Sequence, residues 1–465
     1  MAFRFADLWR WDGKVGRAEY AAVGLIGVAI KHNLDRLIAL AFFPNSLAFL
    51  NYWAPLGKAA RLNHLTNNEV KFLATLLLFS IPFLWVGVAM TVQRLRDAGQ
   101  PVWLLVLFFF PVINVLFFLA LCALPPRERA VESEGAPWPA QSGFSEVIPS
   151  SPLGSAVLSI FLTSVLGLVF LGLGTLVVGA YGWGLFVALP FCLGMFSVLL
   201  YSYHSPRDWW TCLNVALLPV GILGIALILL AMEGVICVLM AAPFALGLSA
   251  LGGMLGYTIQ ARHWRPKQTP AMLSIVILMI PASFGIEHAA ALQSPTFEVR
   301  TAIEVNAPPE KVWNQVVAFA EIPPPTELLF RAGIAYPIRA EISGHGVSAV
   351  RHCIFSTGPF AEPIEVWDEP RLLKFGVTAN PAPLSELSPY GNIQPPHLHG
   401  YFVSKQGQFL LTALPGGRTR LEGATWYQHT MWPAAYWHLW SDYIIHRIHL
   451  RVLQHIREVA EEKGS

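Results

Sequence analysis

The chain contains 465 residues, of which 54% are hydrophobic and 13% charged, and its formal net charge is +2. A soluble domain normally carries about twice that charged share, so the composition predicts a membrane protein. Lys and Arg form no long basic runs, which excludes the electrostatic footprint of a nucleic-acid-binding protein.

The cysteines predict neither a disulfide framework nor a zinc knuckle. They lie far apart without a Cys-x-x-Cys pair, so we expect free thiols that pack as small hydrophobic side chains. They are Cys122, Cys192, Cys212, Cys237 and Cys353. The first 20 residues lack the apolar stretch and cleavage site of a signal peptide, so we expect the membrane segments to remain in the mature protein.

About eight apolar segments are long enough to cross a bilayer as helices, which takes roughly 20 residues each. They begin near Ala21, Phe72, Val102, Ser155, Trp183, Cys212, Val235 and Ala271. The first segment carries Lys31 and Asp35 in its middle, where a charge costs about 2.5–3.5 kcal/mol. We therefore expect this helix to begin within Arg17–Tyr20 and to place Lys31 and Asp35, one turn apart, near the far interface.

Changes in composition divide the chain into four parts. Residues 1–124 form a transmembrane module, and residues 125–152, rich in Pro, Ser, Glu and Gly, form a linker. Residues 153–293 form a second transmembrane block, whose Gly- and Ala-rich stretch 244–256 favours close helix packing. Residues 294–465 are predicted to form a soluble domain, because charged residues and period-2 patterns return there.

Charge placement predicts the orientation of the chain. Arg10, Lys14 and Arg17 before the first span place the N-terminus in the cytoplasm by the positive-inside bias, and eight crossings return the soluble domain to the same side. The basic connection 260–268 then falls outside, against the bias. One miscounted span reverses the prediction for the soluble domain.

The N-terminal module contains two motifs. They consist of Gly13, Arg17, Glu19 and Tyr20, followed by Arg94, Leu95, Asp97, Gly99, Trp103 and Pro111. This pattern resembles the bacterial inner-membrane family called domain of unknown function 805 over residues 8–125, with departures at Lys14, Gln93 and Arg96. The resemblance implies a location and no chemistry. From their place beside a span, we predict that a set of residues lies at the lipid headgroups, either as an anchor or as a specific lipid or partner site: Arg17, Arg94, Arg96, Asp97 and Trp103.

The soluble domain alternates strand and helix patterns. A strand over 297–305 leads through Pro308 and Pro309 into a helix ending near Phe319. Further strands are predicted at 338–342, 348–356, 362–368, 371–378, 400–405, 408–414 and 418–429, with hairpin turns at Lys405–Gln408 and 415–418. A long amphipathic helix over 434–463 ends the chain. The acids Glu362, Glu365, Asp368 and Glu369 are expected to be solvated.

This order resembles the helix-grip superfamily called SRPBCC or START-like, which includes polyketide cyclases and dehydrases. The stretches that carry the resemblance are IEVNAPPEKVW, EGATWY and the final helix. The expected fold is therefore a multi-pass α-helical membrane protein with a C-terminal α+β helix-grip domain. The resemblance implies a curved sheet around the last helix, with an apolar cavity for a lipid or another hydrophobic molecule, and a minority of such domains are enzymes.

One stripe of the final helix carries both apolar and titratable residues, at the spacing of a single helix face. We predict a ligand-binding set from this stripe and the last strand: His438, Asp442, Ile445, His449, Val452, Thr425, Tyr427 and His429. His438 and Asp442 are one turn apart and are expected to bond. The polar members can form a structural network, the polar end of a ligand pocket, or an acid–base pair.

No metal or cofactor is predicted. His397 and His399 share a face if their segment is extended, but no short zinc motif completes a ligand set. The favoured function is a tethered module that binds a hydrophobic small molecule or lipid at the bacterial inner membrane. The alternatives are an enzyme that uses His438, Asp442 or His449 on such a molecule, and a transporter or sensor with a regulatory tail.

Overall fold

A computed structural model describes residues 8–42, 67–109, 113–126, 148–178, 181–263, 269–290, 293–391 and 393–462. The chain forms two compact units. The first contains Met1–Gly172, Ala188–Met232 and Ala242–Pro281, and the second contains Leu173–Val187, Glu233–Ala241 and Ala282–Ser465. The second unit thus joins the C-terminal domain to short segments of the second membrane block.

The apolar part of the chain is helical. Its helices are α1 (Arg17–Phe42), α2 (Asn67–Asp97), α3 (Ile113–Ala123), α4 (Pro152–Gly172), α5 (Leu189–Tyr201), α6 (Trp209–Leu229), α7 (Val235–His263) and α8 (Thr269–Ala290). Among the described residues, six helical segments are long and apolar enough to cross a membrane. They are Thr75–Asp97, Pro152–Thr175, Gly184–Tyr201, Trp209–Leu229, Val235–Ala261 and Met272–Ala290. Helix α1 begins where expected, and Lys31 pairs with Asp35 on it.

The segment that begins near Val102 differs from its prediction as a full span. It contains a 3-10 helix, Val102–Phe109, and the 11-residue α3. At 1.5 Å per residue, α3 is about 16 Å long, half of a hydrocarbon core. Arg94 near the end of α2 donates from Nε to the Leu121 carbonyl at 2.9 Å and also bonds the Leu124 carbonyl. The C-terminal end of the segment therefore lies beside Arg94, which shortly precedes its start in the sequence, and the count of eight crossings is not confirmed.

Glycines allow two helices of the second block to touch. A Cβ on Gly194 of α5 would lie 2.1 Å from the carbonyl oxygen of Ser249 in α7, and a Cβ on Gly252 would lie 1.9 Å from the carbonyl oxygen of Phe191. Only glycine fits at such backbone contacts. The close packing expected for stretch 244–256 is present.

The C-terminal domain is built on one antiparallel sheet. Its strands are β1 (Thr296–Val305), β2 (Pro337–Ser343), β3 (Val350–Phe355), β4 (Gly358–Asp368), β5 (Leu372–Gly376), β6 (Phe402–Leu414) and β7 (Arg418–His429), in the order β1-β7-β6-β5-β4-β3-β2. Helices α9 (Pro309–Val317) and α10 (Leu328–Arg331) lie between β1 and β2, and α11 (Ala434–Glu461) follows β7. This is the helix-grip arrangement that the sequence resemblance implies.

The predicted hairpin at Lys405–Gln408 is wrong, because β6 runs through it. A register shift between Ser404 and Gln406 absorbs one residue as a bulge and the ladder with β7 continues. Gly407 has a packing role instead of a turn role: a Cβ there would lie 2.5 Å from the ring of Phe375. The predicted turn at 415–418 does join β6 to β7.

The core lies between the concave face of the sheet and helices α9 and α11. Odd-numbered residues of β1 and β7 point inward, as the buried Val305 and Leu421 show. Leu453 of α11 packs over Gly423, and Trp313 of α9 is 1% exposed. Burying a side chain of this size contributes about 1.5–3 kcal/mol, so these contacts hold α11 in place.

Segments from the membrane block belong to the same unit as the sheet. Trp432 donates its backbone N–H to the Tyr181 carbonyl at 3.0 Å, and Val235 donates to the Leu387 carbonyl at 2.9 Å. The Glu287 carboxylate at the end of α8 accepts from the Gly184 N–H at 2.9 Å. The connection before α5, the start of α7 and the end of α8 are therefore bonded into one unit with the C-terminal domain.

Substitution of Arg94 tests its bonds to the Leu121 and Leu124 carbonyls. We expect Arg94→Ala to lower the free energy of unfolding by about 2–5 kcal/mol, because it leaves two buried carbonyls and the Asp97 carboxylate without their donor. The matched control is Arg96→Ala, since Arg96 is exposed. Thermal unfolding of the purified protein measures both, and equal midpoints for the two variants would contradict the assignment.

Candidate functional site

The seam between α11 and strands β1 and β7 contains the first polar group. The Tyr427 hydroxyl lies 2.9 Å from Nδ1 of His438 and 2.7 Å from the Ser441 hydroxyl. Asp442 is exposed, so the expected His438–Asp442 pair is wrong. Ser441 and Asp442 point about 100° apart around the helix axis. Ser441 faces the sheet, and Asp442 faces solvent.

Phe297 connects two of the predicted histidines. Its ring stacks on His438 at a centroid distance of 4.4 Å and on His429 at 5.1 Å, with both pairs nearly parallel. Burial lowers the pKa of His429, so its ring packs as a neutral aromatic group. Ile445 packs against Tyr427 in the same cluster.

A second polar group lies further along the seam. Nε2 of His449 lies 2.8 Å from the Thr425 hydroxyl, and Nδ1 of the same ring lies 3.1 Å from the Thr301 hydroxyl. The Thr301 hydroxyl is also 2.8 Å from Nδ1 of His446. Burial, with a smaller contribution from His446, lowers the pKa of His449 to about 4, so this imidazole is neutral at physiological pH.

The predicted ligand-binding residues are thus brought together along one seam, apart from the exposed Asp442. The polar ones bond mainly to one another, which is the structural network foreseen as one alternative. Val452 belongs to the apolar core beyond them. Their contact with a ligand stays a prediction.

Sequence reasoning missed an ion pair on the same concave face. Arg351 of β3 and Glu362 of β4 are register partners, both are buried, and their side chains form a salt bridge. The expectation that Glu362 is solvated is therefore wrong. Burial raises the pKa of Glu362, and the guanidinium beside it opposes that rise.

Aromatic rings surround this pair. The Arg351 guanidinium lies 5.5 Å from the ring centroids of Phe319, Phe375 and Phe409, a distance at which cation–π attraction acts. Phe409 and, near the other end of the face, Phe360 remain partly exposed although both belong to the inward side of the sheet. Solvent therefore reaches part of the aromatic surface beside a buried ion pair.

The predicted headgroup residues of the N-terminal module separate into two groups. Arg17, Arg96 and Trp103 are exposed and able to meet lipid, although Arg96 also donates to the Trp11 carbonyl. Arg94 has no exposed surface and pairs with Asp97, so its prediction as a headgroup contact is wrong. Its guanidinium donates to the Leu121 and Leu124 carbonyls at the end of α3.

A further cluster, made of Glu233, Cys237, Glu386 and His397, lies within the second unit. One ligand atom from each residue lies within 4.8 Å of the others. Sγ of Cys237 is 2.9 Å from Oε1 of Glu386 and 3.3 Å from Nε2 of His397, and these two atoms are 3.5 Å apart. Nδ1 of His397 faces Oε2 of Glu233 at 3.3 Å.

The cluster is buried and rich in negative charge. The side chain of Glu386 is 0% exposed and that of His397 is 9% exposed. Burial alone would lower the pKa of His397, but its contacts with Cys237, Glu233 and Glu386 raise that pKa to about 12. The Tyr181 hydroxyl donates to Oε1 of Glu233 at 3.1 Å, and burial followed by the charge of Glu233 raises the pKa of Tyr181.

One sequence signal pointed to this cluster. Glu233 is the single acid between Asp208 and residue 260 of an otherwise apolar block, and an ionisable group beside a span is a site hypothesis by default. Cys237 stands four residues later, in the first turn of α7, and Glu233 lies just before that helix. Their partners Glu386 and His397 come from a loop about 150 residues away in the sequence, and no local sequence pattern predicts that contact.

The buried His449 gives a pH prediction. Because its folded pKa is below the unfolded value of 6.5, the unfolded chain binds more protons between pH 6.5 and about 4, so stability falls as pH falls through that window. We expect a loss of up to about 3 kcal/mol that His449→Gln abolishes. Thermal unfolding at pH about 7.5 and about 5 measures the difference. The control is His399→Gln at an exposed histidine, and an unchanged pH slope in His449→Gln would contradict the assignment.

Residues 8–132 match the family described as Protein of unknown function (DUF805), which confirms the resemblance of the N-terminal module. No curated protein sequence matches the chain. Among solved structures, truncated norcoclaurine synthase from Thalictrum flavum is 12% identical and covers 37% of this chain and 98% of its own, with a TM-score of 0.25. XoxI from Bacillus cereus is 14% identical and covers 35% and 93%, with a TM-score of 0.24. Protein CV1439 from Chromobacterium violaceum is 12% identical and covers 36% and 98%, with a TM-score of 0.23.

Proposed function

We propose that the C-terminal domain is a membrane-held cup that binds a hydrophobic small molecule or lipid between the concave face of its sheet and α11. The observation that carries the proposal is the partly exposed aromatic surface at Phe360 and Phe409 beside the buried Arg351–Glu362 pair. Small-molecule sites combine a mainly apolar lining with a few fixed polar groups, and this surface has that composition.

The ion pair supports a binding role because it is expensive as a stabilising element. Removing two charges from water costs several kcal/mol per ion, and well-packed hydrophobic residues often replace a buried pair without loss of stability. Arg351 therefore fits better as a polar anchor in an apolar cup, held by Glu362 and by the Val317 carbonyl at 3.2 Å from its Nε. A guest with one polar end and an apolar body matches such a lining.

Attachment to membrane helices supports the same role. A hydrophobic guest is concentrated in the bilayer, so a cup held there meets it at a high effective concentration. The enzyme alternative has less support, because His438 and His449 are engaged with Tyr427, Thr301 and Thr425 on their own seam.

A space-filling variant tests the cup. A Cβ on Gly423 would stand 3.7 Å from both Leu453 and Phe409, in ordinary contact, so a larger side chain there projects into the space between sheet and helix. We expect Gly423→Leu to reduce the co-purifying hydrophobic guest at least about tenfold, equivalent to 1.4 kcal/mol, read on material that elutes as a single folded species because the new side chain also presses on Leu453. Native mass spectrometry of the full chain released from nanodiscs measures retained guest, and solvent extraction identifies it.

The matched control is Ala302→Leu. It adds a leucine side chain on the exposed face of β1 and leaves the concave side unchanged. We expect it to retain guest as the parent protein does. A parent protein without any retained hydrophobic molecule, or equal retention in both variants, contradicts the proposal.

We further propose that the chain lies in the bacterial inner membrane with the C-terminal domain on the extracytoplasmic side. The six apolar spans together with α1 make seven crossings when the segment that begins near Val102 is not counted as a full crossing. An odd number places the two ends of the membrane part on opposite sides. The cytoplasmic location expected from sequence depended on an eighth crossing.

The distribution of charge supports this orientation. With seven crossings the N-terminal flank, the end of α2, and the connections α5–α6 and α7–α8 all share one side. Their basic residues are Arg4, Arg10, Lys14, Arg17, Arg94, Arg96, Arg207, Arg262, Arg265 and Lys267. The connections on the other side are 43–66, which carries Lys58 and Arg61, 176–183, which carries no charged residue, and 230–234, which carries Glu233. This arrangement satisfies the positive-inside bias and also removes the conflict at 260–268.

Reporter fusions test the orientation. Alkaline phosphatase folds only after export and green fluorescent protein fluoresces only in the cytoplasm, so we expect a fusion after Glu462 to give phosphatase activity without fluorescence. Fusions within the α5–α6 connection, after Ser205, serve as the cytoplasmic control and should give the opposite pair of signals. Fluorescence from the fusion after Glu462 would return the domain to the cytoplasm.

A further inference from the structure

The cluster of Glu233, Cys237, Glu386 and His397 contains the ligand types that transition metals prefer. Thiolate, imidazole and carboxylate all bind Zn²⁺, at about 2.0–2.3 Å from the ion. Ligand atoms at those distances in a tetrahedron lie about 3.3–3.6 Å from one another. Nε2 of His397 lies at this spacing from Sγ of Cys237, 3.3 Å, and from Oε1 of Glu386, 3.5 Å. Sγ and Oε1 are closer, at 2.9 Å, because the thiol donates a hydrogen bond to the carboxylate, and binding of the ion in place of that proton separates them.

The fourth residue occupies the position of an outer partner. An imidazole presents only one nitrogen to a given ion, and Nε2 of His397 is the one beside Cys237 and Glu386. Nδ1 faces Glu233 at 3.3 Å, and Glu233 in turn accepts from the Tyr181 hydroxyl. A metal-bound histidine usually donates its second N–H to a carboxylate, which fixes the ring and its tautomer, and Oε2 of Glu233 is the carboxylate oxygen placed to accept it.

An independent observation points to a cation as the ligand of this cluster. Oε2 of Glu386 has no hydrogen-bond partner although the side chain is 0% exposed. A buried carboxylate with an unsatisfied oxygen is costly unless a positive charge accompanies it. No Lys or Arg contacts the four cluster residues within the part of the chain that the structure describes.

The backbone also makes room for the carboxylate. A Cβ on Gly234 would lie 1.8 Å from Oε2 of Glu386, so glycine is required for Glu386 to reach the start of α7. The surroundings are apolar: Cys237 packs against the cluster formed by Phe330, Ile334, Leu384 and Leu398. Low polarity around a site strengthens the attraction between a cation and its charged ligands.

We propose that Cys237, Glu386 and Nε2 of His397 bind one Zn²⁺ ion, with Glu233 as the residue that positions His397. Three protein ligands leave one tetrahedral position for water, as in zinc sites that act on a bound molecule, whereas structural sites usually supply four. The ion ties the start of α7 to the loop that carries Glu386 and His397, so it also links membrane and sheet segments of the second unit.

The test uses the full chain, purified in the presence of a chelator, dialysed and then given Zn²⁺ alone. We expect about one zinc ion per chain by elemental mass spectrometry, in line with a single three-ligand site. Cys237→Ala, Glu386→Gln and His397→Gln are expected to lose it. Glu233→Gln keeps the three ligands and is expected to weaken zinc binding about 10–100-fold.

Two controls separate ligand loss from misfolding. Cys192→Ala removes a buried thiol elsewhere and His399→Gln removes an exposed imidazole two residues from His397, and both should keep zinc. Co²⁺ in place of Zn²⁺ should give a thiolate-to-metal charge-transfer band that is absent from Cys237→Ala, read on material that elutes as a single folded species. Parent protein without bound zinc, or zinc retained after loss of Cys237, overturns the proposal and leaves His397 as an imidazolium paired with two carboxylates.

Discussion

The packing of one stripe of the C-terminal helix against the concave face of the sheet is the constraint on which the second unit depends. Leu453 fits over Gly423, where any larger residue would project toward it, and Val452 and Ile456 fill the same core. Because the helix covers β1 and β7, the polar side chains on its inner stripe must find partners on those strands. Thr301, Thr425 and Tyr427 supply them.

Buried polar groups in this unit therefore have different physical roles according to where they lie. Along the seam, imidazoles and hydroxyls bond to each other and the cost of their burial is offset locally. On the open part of the concave face, Arg351 and Glu362 form a charged pair among phenyl rings, and part of that surface remains accessible. Near the start of α7, the cluster of Glu233, Cys237, Glu386 and His397 has an excess of negative charge, which the proposed zinc ion would balance. The first role stabilises the fold, whereas the other two suit recognition.

The sequence predicted the elements well and the distant contacts poorly. Strands such as β1 and β7, the start of α1 and the final helix follow from local alternation and periodicity, which depend on neighbouring residues alone. The hairpin predicted at Lys405–Gln408 is wrong because Gly407 leaves room for the ring of Phe375 on the neighbouring strand and does not form a turn. The span placed at Val102 is not confirmed for a similar reason: hydropathy counts apolar residues but does not register that Arg94 binds the carbonyls at the end of the segment.

The candidate sites show the same division. The helix stripe with His438 and His449 was found because it lies on one element, while its partners were fixed only by the fold. The Arg351–Glu362 pair needed the register of β3 on β4, and the His397 cluster needed a loop to meet the start of a membrane helix. Asp442 was misplaced because a stripe about 80° wide on a helical projection does not decide which edge residue turns outward.

The central claim is that the curved sheet and the last helix enclose a guest beside the bilayer. A density map of the full chain in lipid nanodiscs, at a resolution that shows side chains, tests it most directly. The account predicts an elongated, non-protein feature against the rings of Phe360 and Phe409, with its polar end toward Arg351. Side chains of the helix and sheet that fill this space completely would contradict it.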